Sequence, residues 1–253
     1  MIRLENINVI FNKGSVMERA ALQDLNLTID TQEFLTVIGS NGAGKSTLLG
    51  ILTGNITPTQ GRIFIHEQDV TSWSVEKRAS LVARVFQDPL EGTCGALSVE
   101  ENLALAASRG SSRGLKKALN NASRAAFRDI LTRLNLGLED HLKQPIGLLS
   151  GGQRQAISLM MAALSPMEIL VLDEHTAALD PRTAAFIIEL TKDIVQQKHL
   201  TVLMVTHSMH QALEVGTRTL MLKEGRIVKD LDQQQRSQLN TGDLLTFFEE
   251  IVS

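Results

Sequence analysis

From Gly39 to Ser46 the chain reads Gly-Ser-Asn-Gly-Ala-Gly-Lys-Ser, the pattern of a phosphate-binding loop, with a β-branched run before it and a helix-forming run after it. Gly39, Gly42 and Gly44 permit backbone conformations closed to other residues. The N–H groups of the loop, which Ser40, Asn41 and Ala43 complete, can therefore turn inward around phosphate oxygens. A helix N-terminus follows, and its dipole favours anions. Lys45 brings a compact positive charge to the outer phosphates. The Ser46 hydroxyl is placed to ligate the Mg²⁺ that travels with a nucleotide, and Thr47 offers a further hydroxyl. A turn that merely capped a helix would need one glycine and would leave the Lys-Ser pair unexplained.

Other stretches also carry chemistry. Asp173 and Glu174 end a short apolar run, where adjacent carboxylates each need a partner or a cation. Leu149-Ser150-Gly151-Gly152-Gln153 opens a helix at Arg154. Ser150 suits an N-cap, but two adjacent glycines are a costly helix start unless something approaches the backbone there. His207 follows another apolar run. A lone histidine there is more often structural, yet a place beyond a strand end of an open α/β sheet favours a ligand role. Phe11 falls in a loop rich in Asn, Gly and charge, either as a partly buried anchor or as a platform on which an adenine ring stacks.

The elements that position these residues follow from periodicity. Ile2 and Leu4, then Leu25, Leu27 and Ile29, alternate with polar neighbours, which predicts two half-buried antiparallel strands ahead of the loop. Residues 34–38 form an apolar strand into the loop, and residues 45–53 a helix out of it, closed by Gly54. Strands over 62–65 and 81–86 come next, the second running into Gln87-Asp88-Pro89. Ser98 with Glu101 is a capping box for a helix bearing Leu103 and Leu105. Arg109, Gly110, Arg113 and Gly114 make a loop that leads to a helix through Ala118, Phe127, Ile130 and Leu134, and the charges there, with Lys116 and Lys117, read as a solvated face rather than a docking surface for a partner or lipid headgroups. The helix over 154–164 puts Ile157, Met160, Met161 and Leu164 on one face. Asp180 caps a helix with Pro181 in its first position, and 202–205 is a buried strand. Glu224-Gly225 turns a hairpin, and a glutamine-rich polar link over 233–238 leads to an amphipathic helix with Leu244, Leu245, Phe247 and Phe248.

With 253 residues, 43% of them hydrophobic and 21% charged, the chain can bury a substantial core. A net charge of −3 leaves no electrostatic footprint for nucleic acid, so no nucleic-acid partner is expected. Cys94 is the only cysteine, and no internal disulfide can form. The N-terminal stretch breaks its apolar residues with Arg3, Glu5 and Asn6, unlike a signal peptide, and no run approaches the ~20 apolar residues of a membrane span. A cytoplasmic chain is expected, acting at a membrane only through other subunits.

The phosphate loop, Gln87, Leu149 to Gln153, the apolar strand into Asp173-Glu174, Asp180 and His207 follow one another in an order and spacing that resembles the ATPase subunit of the ABC transporter family. The five-residue Leu-Ser-Gly-Gly-Gln signature separates this family from most other phosphate-loop ATPases. The resemblance implies that Lys45 and the loop hold the β- and γ-phosphates of ATP, that Ser46 ligates Mg²⁺, and that Asp173 holds the ion through its water shell. It makes Glu174 the base that positions the attacking water. Gln87 becomes a sensor of γ-phosphate and metal, His207 a donor to the γ-phosphate, and Phe11 the adenine platform. Ser150, Gly151, Gly152 and Gln153, with Leu149 and Asp180, would act on ATP held by a second copy of the chain in a two-fold homodimer. The family more often has Tyr than Phe at the adenine platform and Pro or Ala where His175 stands. Phe86 to Leu103 and Asp173 to Asp180 look like ATPases of aromatic amino-acid uptake.

The expected fold is α/β: a phosphate-loop core with a mixed sheet and a small antiparallel sheet (residues 1–87 and 166–235), an inserted helical subdomain (88–165) and a C-terminal helix (240–253). The implied function is ATP hydrolysis that drives transport, with membrane permease subunits as partners and a solute-binding protein engaged indirectly. The chain would sit peripherally on the inner face of the membrane. An exporter subunit, or a soluble ABC protein of translation or DNA repair, is the alternative. Soluble members usually carry tandem domains or a coiled-coil insertion, which this sequence lacks.

Overall fold

The structure is a computed structural model that describes residues 1–109, 118–164 and 166–252. Of the charged loop expected between two helices, Gly110, Arg113, Gly114, Lys116 and Lys117 lie outside the described residues. The chain runs β1 (Ile2–Phe11), β2 (Arg19–Ile29), β3 (Phe34–Gly39), α1 (Lys45–Thr53), β4 (Gln60–Ile65), β5 (Gln68–Asp69), α2 (Val75–Arg78) and β6 (Val82–Val85). Then come α3 (Val99–Ala107), α4 (Asn121–Thr132), α5 (Gly151–Leu164), β7 (Ile169–Asp173), α6 (Pro181–Lys198), β8 (Thr201–Val205), α7 (Met209–Val215), β9 (Arg218–Lys223), β10 (Arg226–Leu231), α8 (Gln233–Arg236) and α9 (Thr241–Val252).

A small antiparallel sheet has the order β2-β1-β4-β5, and a larger one the order β10-β9-β3-β8-β7-β6. In the larger sheet β9, β3, β8, β7 and β6 are parallel, and only the edge strand β10 runs against its neighbour. The mixed α/β architecture is the one expected. Both faces of the larger sheet are covered, which is why its strands read as unbroken apolar runs. On one face Leu35, Val37, Val171, Leu203 and Val205 pack with α1 and the small sheet. On the other, Val85, Leu170, Leu172 and Met204 pack with Leu159 of α5 and Ile188 and Ile194 of α6. A third apolar cluster joins α3, α4 and α5 through Leu103, Phe127, Leu131, Ile157 and Met161.

Local signals account for the element ends. Ser98 and Glu101 form the capping box of α3, Gly54 ends α1 at φ 80°, and Asp180 caps α6 with Pro181 following. Three expectations need correction. Phe11 is not in a loop: it is the last residue of β1, paired with Arg19, because the ladder to β2 continues one step beyond the apolar alternation. The segment after β10 is not a plain link but the short helix α8, capped by Asp232. Its Arg236 is buried and donates to Thr219 Oγ1 and to the Ala212 and Leu213 carbonyls, ties that a polar sequence does not reveal.

The third correction concerns α5, which begins at Gly151 rather than Arg154. Gly152 therefore lies inside its first turn, where a Cβ would stand 2.3 Å from Thr183 Cγ2 on α6. A Cβ on Gly151 would meet only Leu179 Cδ2, at 3.8 Å. Helix packing alone thus requires one of the two glycines. Gly152→Ala should lower stability by about 1–3 kcal/mol, and adding Thr183→Ala should restore most of it, whereas Gly151→Ala should unfold like the parent in denaturant titrations. Equal stability of both single variants would remove the packing explanation.

Candidate functional site

Four adjacent parallel strands, β3, β8, β7 and β6, end toward the same side, and each delivers one motif there. Gly39 ends β3, His207 follows β8 by two residues, Asp173 ends β7, and Gln87 follows β6 by two residues. Ligands of open α/β sheets bind beyond such carboxyl ends. Here they enclose a cavity of about 560 Å³ lined by Arg19, Asn41, Gly42, Gly44, Lys45, Ser46, Thr47, Gln87, Glu174 and His207.

The loop is shaped as its composition requires, with one exception. Gly42 (φ 81°) and Gly44 (φ 104°) occupy the left-handed region. Gly39 does not. Its glycine is explained by the neighbouring strand, since a Cβ there would lie 2.6 Å from the Leu222 carbonyl oxygen. The buried Lys45 donates from Nζ to the carbonyls of Gly39 (2.8 Å) and Ser40 (3.0 Å), which holds its ammonium within the loop. Burial lowers the Lys45 pKa, while the charges of Glu174 and Asp173 oppose that shift. Ala43 is buried beneath the loop.

Both carboxylates of the Asp-Glu pair have partners. Glu174 Oε1 lies 2.7 Å from His207 Nε2. The Glu174 N–H donates to Val205 O at 3.0 Å, and the residue adopts φ 45°, a left-handed conformation costing a non-glycine residue about 1 kcal/mol. Such strain is characteristic of functional positions. Asp173 Oδ2 accepts from Arg84 Nη2 at 2.5 Å. Ser46, Gln87 and Asp173 offer hard oxygen donors, and among the described residues no cluster of three or more His, Cys, Asp or Glu could hold a metal. That donor set fits a cation shared with phosphates, as Mg²⁺ usually is.

Several expected site residues do not line this cavity. Leu149, Ser150, Gly151, Gly152, Gln153 and Asp180 are absent from its wall, as is Phe11, whose 40% exposure leaves its ring accessible at the end of β1. Ser150 Oγ accepts from Gln153 N at 3.2 Å while Ser150 N donates to Gln153 Oε1 at 3.1 Å, a reciprocal cap of α5. Asp180 Oδ1 accepts from the N–H groups of Arg182 and Thr183, each at 3.1 Å.

Two arginines were not among the expected site residues. Arg19 lines the cavity and donates to Gly42 O at 3.2 Å, and no sequence pattern announces it. Arg84 carried a signal: it is the one charged residue in the apolar strand β6.

A phosphate loop and a carboxylate pair at the carboxyl ends of parallel strands define a phosphate-loop nucleoside triphosphatase. The family model described as ABC transporter matches residues 22–177. The chain belongs to the ABC transporter family, as one of its ATP-binding, ATP-hydrolysing subunits. It is 40% identical to a tyrosine transport ATP-binding protein of Clostridioides difficile (strain R20291) over all of both chains. It is 34% identical to the thiamine import ATP-binding protein ThiQ of Salmonella choleraesuis (strain SC-B67), over 79% of this chain and 80% of that one. Its fold is similar to that of the dimeric, post-hydrolysis ATP-binding cassette MJ0796 bound to ADP and Pi, with a TM-score of 0.80, 27% identity, and coverage of 92% of this chain and 99% of that one.

His175, directly after Glu174, is buried. Its Nε2 lies 3.2 Å from Thr191 Oγ1, whose own proton goes to Ile187 O, so the imidazole N–H is the donor. Burial pushes the His175 pKa from 6.5 down to about 4. A folded-state pKa below the unfolded one gives stability that is complete above the unfolded value and lost as pH falls toward the folded one. Melting temperature should therefore fall more steeply between pH 6.5 and about 4 in the parent than in His175→Gln. Parallel slopes would mean that His175 is not the group protonated on acid unfolding.

Proposed function

We propose that this chain is the ATPase of an importer of amino acids or similar small solutes. In this reading two copies clamp ATP head to tail, and separate permease subunits carry the motion into the membrane, with a solute-binding protein engaged indirectly. The observation that carries the dimer is the division of the site. The phosphate loop, Gln87, Glu174 and His207 share one cavity, while the Leu149 to Gln153 segment stands outside it and has its own exposed cap. A helix N-terminus with an exposed Ser150 and a Gly151 that packing does not require is suited to the γ-phosphate of a partner. Import and an amino-acid cargo are supported by what the thiamine and tyrosine relatives are named for.

In this mechanism Phe11 stacks on adenine, and the loop backbone from Gly39 to Thr47 with Lys45 holds the triphosphate. Ser46, Gln87 and Asp173 would hold Mg²⁺, which supplies charge neutralisation on the phosphates. Glu174 orients and deprotonates the attacking water, and His207, already paired with it, donates to the γ-phosphate. Asp180 would reach across the dimer interface. Residues 88–165 act as a helical subdomain on the core of 1–87 and 166–235, a division supported by the apolar cluster centred on α3, α4 and α5, which Ile187 of α6 joins to the core. A second hollow lined by Gln87, Pro89, Glu91, Arg154 and Leu179 would receive permease helices, with the exposed Leu90 beside it in sequence. No described helix is long and apolar enough to cross a membrane, and the chain would sit on the inner membrane face through its permease.

Glu174→Gln keeps size and hydrogen bonding but removes the base, so hydrolysis should fall about a hundredfold or more while ATP binding survives. The purified variant should elute as a dimer with Mg-ATP and as a monomer with ADP in size-exclusion chromatography. Adding Ser150→Arg should abolish that dimer without weakening nucleotide binding by the monomer. Parental turnover in Glu174→Gln would exclude Glu174 as the base.

A further inference from the structure

Arg84 is an unusual occupant of β6. Its neighbours Val82, Ala83 and Val85 are buried in the core, and an arginine in such a strand brings a charge that has to be compensated. The compensation comes from Asp173 on the adjacent parallel strand β7, where Arg84 pairs in register with Val171 and its side chain reaches along the sheet to the carboxylate. The two side chains are only 18% and 14% exposed. The guanidinium also lies 4.5 Å above the Phe86 ring, and its Nε is buried without a hydrogen-bond partner. Breaking such a pair by removing one member leaves the other charge enclosed and uncompensated.

We infer that Arg84 is a resident counter-ion of Asp173 that competes with the divalent cation accompanying the nucleotide. The inference rests on the reading of Ser46, Gln87 and Asp173 as the metal side of the site. Asp173 carries one negative charge. A guanidinium on it and a divalent cation next to it repel each other, so the arginine weakens the metal-bound complex. The same arginine masks a carboxylate that would otherwise repel a metal-free triphosphate, so it strengthens that complex. Arg84 thereby flattens the dependence of nucleotide binding on Mg²⁺. It acts through Asp173 and is a positioning residue rather than a catalytic one.

The experiment measures the affinity of the full chain for a non-hydrolysable ATP analogue in excess Mg²⁺ and in EDTA, and takes the ratio of the two. Arg84→Met keeps an apolar stem over Phe86 but removes the charge, and should raise the ratio by about tenfold, within the usual range of coupling between two binding events. Arg84→Lys, which retains the charge, should stay near the parent. In an Asp173→Asn background Arg84→Met should leave the ratio where Asp173→Asn put it. A purely structural role would change both affinities by one factor and leave the ratio of Arg84→Met at the parental value, which overturns the proposal. A lowered ratio also overturns it, because Arg84 would then be holding Asp173 in place for the metal. Failure of the underlying reading has a different signature: a ratio of one in the parent, in Arg84→Met and in Ser46→Ala alike removes the metal role of the site, and the proposal with it.

Discussion

The register of β3, β8, β7 and β6 is the constraint on which everything else in the molecule depends. Val37 and Asp173 both lie opposite Val205, and Val85 lies opposite Leu172, so the carboxyl ends of these strands come level to within a few residues. A slip of one residue would turn every side chain in a strand to the other face of the sheet. Apolar residues packed on both faces make such a slip costly, as Val171 faces one core while Leu170 and Leu172 face the other. Burial far from the chemistry therefore holds the phosphate loop, His207, Glu174 and Gln87 around one cavity.

In and beside that cavity the charges are balanced by the chain itself. Lys45 is tied to backbone carbonyls, Glu174 to His207, and Asp173 to Arg84. Partial burial makes these pairings matter, since charges removed from water interact through a weaker dielectric screen and cannot be left alone. Glu174 is held further by its backbone, with its N–H on Val205 O and a left-handed φ fixed by the turn into Ala177. A side chain fixed in this way loses little freedom when a substrate arrives.

The helical layer adds close packing of its own. Thr183 of α6 fills the space that a side chain on Gly152 of α5 would take, and the same Thr183 donates its N–H to the cap residue Asp180. The N-terminus of α5 is thereby packed against the first turn of α6, the turn that Asp180 caps. The two adjacent glycines have separate explanations: Gly152 is demanded by this packing, while Gly151 has room around it.

The sequence by itself determined the class of fold, the phosphate loop, the capping boxes and nearly every residue of the cavity, because these depend on short-range effects. Gly42 and Gly44 needed φ values that only glycine adopts readily, Ser98 and Asp180 needed N–H groups within three residues, and the apolar runs needed two covered faces. Local signals were misleading where a distant partner decided the outcome. Gly39 is a glycine because of Leu222, Gly152 because of Thr183, and Phe11 is in a strand because Arg19 pairs with it. Only the tertiary structure placed Arg19 on the cavity wall, joined His207 to Glu174 and set Arg84 on Asp173. Those contacts link residues 33 or 89 positions apart, or, for Arg19 and Gly42, 23 apart. Their geometry follows from how the strands pack side by side, which no periodicity along one strand encodes.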